Sequence, residues 1–168
     1  VALEELIPTL AIGATLVLRN DAIVNSARDF FDSVAAENIT VLNLPTAFWH
    51  QLVQAHHLKW PSGLRLVVVG GERVSPEAHR RFRVADTGHI RWMNAYGPTE
   101  TTITSTCYDD AEGDHGANGI PIGRPLAGVS HFVLDEHLRP VPPGAAGQLY
   151  VGGAGLAEGL LHREELTG

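Results

Sequence analysis

One stretch of this sequence concentrates chemically different groups in a few positions: NAYGPTETTITST, from Asn94 to Thr106. It holds an amide, an aromatic ring, a Gly-Pro turn, one carboxylate and a crowd of hydroxyls. Tyr96 offers a flat face on which a base can stack, a contact that contributes about 1–3 kcal/mol. Asn94 carries both a donor and an acceptor and can read an adenine edge. Thr99 can donate to a phosphate oxygen. Glu100 supplies hard carboxylate oxygens, which suit a Mg²⁺ ion bridging phosphates. In a second stretch, VVVGGERVS, Gly70 and Gly71 follow an apolar run, and backbone without a Cβ can approach a nucleotide closely there. The plainer alternative is a polar turn whose Thr and Asn side chains satisfy only nearby backbone.

Such groups act only if the surrounding elements hold them in place. Leu3, Leu6, Ile7 and Leu10 in VALEELIPTL fall on one helical stripe. GATLVL reads as a short strand. NSARDFFDSVAAENI reads as an amphipathic helix capped by Asn25 or Ser26, with Ala27, Phe30, Phe31, Val34 and Ala35 on its buried face. TVLNL is a strand, and PTAFWHQLVQAH a helix opened by Pro45. LRLVVVGG is a continuous apolar run, as expected of a strand buried on both faces. SPEAHRRFRVA is a helix with Ser75 as its cap and Pro76 at its first position, and IRWMN is the next strand. This alternation predicts an α/β fold, a flavodoxin-like parallel sheet with helices on both faces. Ligands of such sheets sit at the carboxyl ends of the strands. NLPTAFW, VVVGGERVS and MNAYGPTETT all fall there.

After about Gly119 the chain turns rich in Gly and Pro, with strand patterns at His131–Leu134 and Gln148–Val151. The expected division is an α/β subdomain over 1–118 and part of an antiparallel β-barrel subdomain over 119–168. Two or three such strands by themselves are marginal. A net charge of −7 argues against nucleic acid or an anionic membrane as partner. No apolar run approaches the ~18 residues of a spanning helix. Cys107 is the single cysteine, so no intrachain disulfide forms, and a reducing, cytoplasmic setting is expected. Nine histidines are present, but His50, His56 and His57 have no Cys or carboxylate following at metal-ligand spacing. The sequence lacks an initiator Met and begins inside a helical pattern, so it is expected to be a piece of a larger protein.

NAYGPTETT resembles the signature loop of adenylate-forming enzymes, in the form typical of the adenylation domains of nonribosomal peptide synthetases. The resemblance runs collinearly along the chain, through LVVVGGERVS and the segment IPIGRPLAGVSHFVLDEHLRPVPPGAAGQLYVGGAGLAEGLLHREELT. It implies activation of an amino acid as its aminoacyl-AMP with release of pyrophosphate, then transfer to the phosphopantetheine thiol of a partner carrier-protein domain. ATP and Mg²⁺ are the implied cofactors. By the same resemblance, Gly70, Gly71, Glu72, Asn94, Ala95, Tyr96, Gly97 and Thr99 bind ATP. Thr99 and Glu100 are catalytic, and Glu100 holds Mg²⁺. Carried over position by position, the substrate pocket is lined by Val1, Glu4, Asn43, Val68, Gly70, Ala95, Ile103 and Thr104. Glu4 lies at the margin of the apolar stripe, whereas Glu5 points further away. A carboxylate in a pocket wall favours a cationic side chain, and with Asn43 the set resembles ornithine-type pockets.

The sequence departs from the family at Gln148, where Glu is usual, at Glu158, where Arg is usual, and at Leu160, where Tyr is usual. The family's Ser/Thr/Gly-rich phosphate loop, its Tyr-Arg-Thr-Gly-Asp motif and its distal catalytic lysine have no counterpart in these residues. Lys59 is the only lysine, and it lies in the unrelated LKWPSG loop. These parts belong to the remaining regions of an adenylation domain, so this segment by itself is expected to be inactive. Two other readings stay open: an acyl-CoA or aryl-acid ligase of the same superfamily, and a non-catalytic nucleotide-binding or scaffold subdomain.

Overall fold

The structure, a computed structural model, describes residues 2–18, 26–55, 57–85, 87–113 and 119–163. Helix α1 spans Ala2–Ala11 and α2 spans Ala27–Ala36. Strand β1 (Val41–Pro45) leads into α3 (Thr46–Gln54), β2 (Leu66–Gly70) into α4 (Pro76–Val84), and β3 (Arg91–Tyr96) follows. β1, β2 and β3 pair in parallel, as the β-α-β-α order requires. Two antiparallel strands, β4 (Thr106–Asp109) and β5 (Arg124–Pro125), complete a sheet in the order β1-β2-β3-β4-β5. β6 (Val129–Leu134) and β7 (Gln148–Gly153) form a separate antiparallel pair. The fold is thus α/β followed by antiparallel β. β5, which lies beyond Gly119, still belongs to the large sheet.

The helix starts follow local chemistry. Ser26 Oγ accepts the Asp29 N–H at the head of α2, while Asn25 lies outside the described residues. Ser75 Oγ accepts the Ala78 N–H at the head of α4, with Pro76 in its first turn. Phe30, Phe31 and Val34 of α2 are buried, although Ala35 is exposed. They join Trp49 and Leu52 of α3, Phe82 of α4 and one face of the sheet in a single core. The Trp49 ring lies 5.6 Å from Trp92 and 5.8 Å from Phe82, and Trp60 meets Phe82 edge-on at 4.9 Å. Aromatic rings in such tilted arrangements stabilise beyond their buried area.

Three local expectations change. The apolar run of β2 alternates: Val67 and Val69 are buried, whereas Leu66 and Val68 are half-buried. The Val67–Val69 face is fully covered and the other face only in part. Residues 14–18 of GATLVL form no strand, because a strand exists only where a neighbour accepts its ladder, and the described sheet begins at β1. The stripe Leu3, Leu6, Ile7 and Leu10 is exposed. Periodicity shows that a helix has an apolar side, not what covers it.

The turn after β4 is fixed by charge. The Asp110 side chain is 5% exposed and accepts hydrogen bonds from the guanidinium of Arg83 and, at 3.1 Å, from the His79 ring, which packs on Trp92 at 4.6 Å. Burial pushes the Asp110 carboxyl up, but the His79 and Arg83 hydrogen bonds and the Arg83 charge outweigh it and hold it below its ordinary 3.8. With the folded value depressed, the unfolded chain binds more protons around pH 4. The stabilisation is therefore complete at neutral pH and is lost as pH falls below 3.8, through the depressed folded value. Asp110→Asn is expected to weaken this region by about 1.5 kcal/mol at pH 7, a typical value for a hydrogen bond to a charged group. Hydrogen exchange of the β3 amides in the intact protein reads it. The gap between wild type and variant should narrow in acid, and equal protection at pH 7 would exclude the cluster as a stabiliser.

Candidate functional site

The sheet register sets out the candidate residues. Asn43 of β1 pairs with Val68 of β2, and Gly70 of β2 pairs with Ala95 of β3. Strand alternation places all four on one face, the half-buried one. Gly70 is required there: a Cβ would lie 2.8 Å from the Ala95 carbonyl oxygen. Gly71 has φ +94°, a conformation that side chains disfavour. The turn is pinned by Thr46, whose buried hydroxyl donates to the carbonyls of Gly70 (3.1 Å) and Glu72 (3.2 Å). Thr46 went unnoticed in the sequence, and its only local signal is a hydroxyl directly after Pro45 at a helix start. Gly71 and Glu72 are exposed.

Beyond β3 the chain folds back on itself. A Cβ on Gly97 would lie 2.0 Å from the Ile103 carbonyl oxygen, so only glycine fits. Ser105 donates to the Tyr96 carbonyl from its backbone N–H (2.8 Å) and from its hydroxyl (3.2 Å). A one-turn helix, Thr99–Thr101, crowns the loop, with the buried Thr101 hydroxyl on Pro98 O at 2.9 Å. Thr102 and Ile103 both have positive φ, +61° and +90°. Consecutive β-branched residues in that region store strain, which clusters at functional sites. The result turns Thr99 and Glu100 outward and leaves Tyr96 37% exposed. An aromatic residue, a hydroxyl and a carboxylate are thereby all left exposed.

Asn94 behaves differently. It is 5% exposed, on the opposite face from Ala95, and its Nδ2 donates to the Pro121 carbonyl at 2.7 Å. The structure therefore does not bring it to the face shared by Asn43, Gly70 and Ala95, and one of its two N–H donors is committed within the protein.

Glu4 is half-buried and accepts the Thr104 hydroxyl at 2.6 Å, across 100 residues of sequence. α1 is thus tied to the β3–β4 loop through two candidate pocket residues. Ile103 is half-buried beside them in sequence, and Val1 lies outside the described residues. His50 Nε2 accepts the Ser75 N–H at 3.2 Å and so links α3 to the start of α4, while His56 lies outside the described residues. Among the described residues no three His, Cys, Asp or Glu side chains gather as a metal cage. Glu100 presents a single outward carboxylate, and Mg²⁺ is commonly held by one or two carboxylates with waters and phosphates as its other ligands. Two shallow depressions on the β6–β7 unit, one beside Asp135 and Gln148 and one beside Phe132 and Pro142, carry none of these groups.

Residues 2–161 match the family model of the AMP-binding enzyme. The chain is 41% identical over 157 residues to malpibaldin synthetase of Mortierella alpina, covering 92% of this chain and 3% of that protein. It is 40% identical over 141 residues to isonitrile lipopeptide synthase of Streptomyces coeruleorubidus, covering 82% of this chain and 10% of that protein. The solved structure of holo-AB3403, a four-domain nonribosomal peptide synthetase bound to AMP and glycine, superposes with a TM-score of 0.82 at 32% identity. That match covers 98% of this chain and 12% of the synthetase chain. The chain therefore spans a small part of the proteins it matches.

Proposed function

Because the chain belongs to the AMP-binding enzyme family, in the form carried by adenylation domains of nonribosomal peptide synthetases, we propose that its protein activates an amino acid. The reaction joins the amino-acid carboxylate to the α-phosphate of ATP with release of pyrophosphate, then passes the acyl group to the phosphopantetheine thiol of a carrier domain with release of AMP. The observation that carries this reading is the β3–β4 loop, which turns Tyr96, Thr99 and Glu100 outward at the carboxyl end of β3. Tyr96 stacks the adenine, and the Gly70–Gly71–Glu72 turn and Ala95 border it. Gly97 gives the loop its close return, and Asn94 contributes Oδ1. Thr99 donates to a phosphate oxygen. Glu100 holds Mg²⁺, whose charge neutralises the phosphates.

The half-buried face supplies the amino-acid pocket: Asn43, Val68, Gly70 and Ala95 on the strands, with Glu4, Ile103 and Thr104 around them and Val1 preceding. A side chain bearing an amine, ornithine or a close derivative, suits Glu4. The described residues contain no helix long and apolar enough to cross a membrane, and we place the protein in the cytoplasm, with no nucleic-acid partner. The two subdomains divide near 118/119, with β5 reaching back into the first sheet. The 168-residue segment by itself is inactive, because the other phosphate-, ribose- and lysine-bearing parts of the domain are needed.

Amino-acid-dependent ATP–pyrophosphate exchange by the intact protein tests the reading. Exchange with at least one amino acid is expected. Exchange with fatty or aryl acids only would make the protein an acyl-CoA or aryl-acid ligase. No exchange with any acid would make it a non-catalytic nucleotide-binding module.

A further inference from the structure

The turn that follows β7 reaches back to the phosphate side of the site. Thr102 Oγ1 donates to the Gly155 carbonyl at 2.6 Å. The Ala157 N–H donates to the Glu100 carbonyl at 2.8 Å. Gly155 lies so close that a Cβ on it would be 3.2 Å from the Thr101 carbonyl oxygen. The turn is itself fixed to the β6–β7 pair, since the Leu156 N–H donates to the Gly153 carbonyl at 3.3 Å. Thr102, at φ +61°, is one of the two strained residues of the loop. A strained conformation persists only where its surroundings over-determine it.

We propose that the turn after β7 is a positioning element for Glu100, with Thr102 as the residue that couples them; this rests on the nucleotide role given to Glu100 above. Thr102 acts through the loop, by its bond to Gly155. It aligns the one-turn helix so that the Glu100 carboxylate and the Thr99 hydroxyl face outward together. The antiparallel β unit thereby holds a group that belongs to the α/β unit. Partners that orient a metal ligand typically contribute 10–100-fold to metal affinity or activity.

The test compares Thr102→Val, Thr102→Ser and Gly155→Ala in the intact protein. In the absence of nucleotide, Thr102→Val should speed hydrogen exchange at the Ala157 amide, and Thr102→Ser should restore the wild-type rate. In exchange assays, Thr102→Val should raise the Mg²⁺ concentration for half-maximal rate roughly tenfold and leave the amino-acid KM unchanged. Gly155→Ala should act in the same direction but more weakly, because its Cβ at 3.2 Å from the Thr101 carbonyl oxygen shifts the turn by a few tenths of an ångström; it serves if Thr102→Val fails to fold. Unchanged Ala157 exchange, an unchanged Mg²⁺ requirement, or failure of Thr102→Ser to restore either would overturn the proposal. If the intact protein shows no pyrophosphate exchange at all, the nucleotide reading fails, while the amide measurement still decides whether the turn holds the loop.

Discussion

Glu100→Gln in the intact protein is expected to lower amino-acid-dependent ATP–pyrophosphate exchange by about a hundredfold or more, with the circular dichroism spectrum unchanged. The amide is isosteric but lacks the charge that a hard divalent cation requires. Loss of even an outer partner of a metal ligand costs 10–100-fold, so loss of the ligand itself belongs at or beyond the top of that range. Folding should be unaffected, because the Glu100 side chain is exposed and the loop is held by its backbone bond to Ala157. The control is Glu100→Asp, which keeps the charge on a shorter arm and should recover part of the rate at high Mg²⁺. Near-normal exchange by Glu100→Gln at saturating Mg²⁺ would remove Glu100 from the nucleotide site.

The second large effect concerns specificity. The intact protein is expected to prefer ornithine over norvaline by about a hundredfold in kcat/KM, and Glu4→Gln is expected to abolish most of that preference. Losing one partner of a fully buried ion pair costs roughly 3–5 kcal/mol. Glu4 is only half-buried in this chain, which moves the expectation to the lower end of that range. The hydroxyl of Thr104 holds one carboxylate oxygen, so Glu4 is turned toward the β3–β4 loop rather than into solvent. A neutral isostere would leave the carboxylate without its cation, and the amide of Glu4→Gln would remove the reason to prefer one. A hydroxylated or acylated ornithine would meet Glu4 as a hydrogen-bond acceptor instead, and Glu4→Gln would then change selectivity less. Equal use of norvaline and ornithine by the wild type would overturn the cationic-substrate reading, and so would an unchanged ratio in Glu4→Gln.

Both effects depend on groups that the sequence displays openly and on contacts that it conceals. Ser26 and Ser75–Pro76 mark the starts of α2 and α4 because a cap acts over three or four residues of chain. The order of strands and helices determines a parallel β1-β2-β3 arrangement, because parallel neighbours need a crossover. The grouping of Tyr96, Thr99 and Glu100 is legible for the same reason: they lie within one short stretch of chain at the end of β3. Tertiary structure decided the rest. Pairing and alternation turned Asn94 inward onto Pro121 and left Ala95 on the other face with Gly70. Folding left the α1 stripe exposed and set Glu4 against Thr104, 100 residues away, and Thr102 against Gly155, 53 residues away. Thr46 became the pin of the Gly70–Glu72 turn only once β1 and β2 lay side by side. Periodicity and capping are set within a turn of helix or a pleat of strand, whereas the partner of a side chain is set by the path of the whole chain.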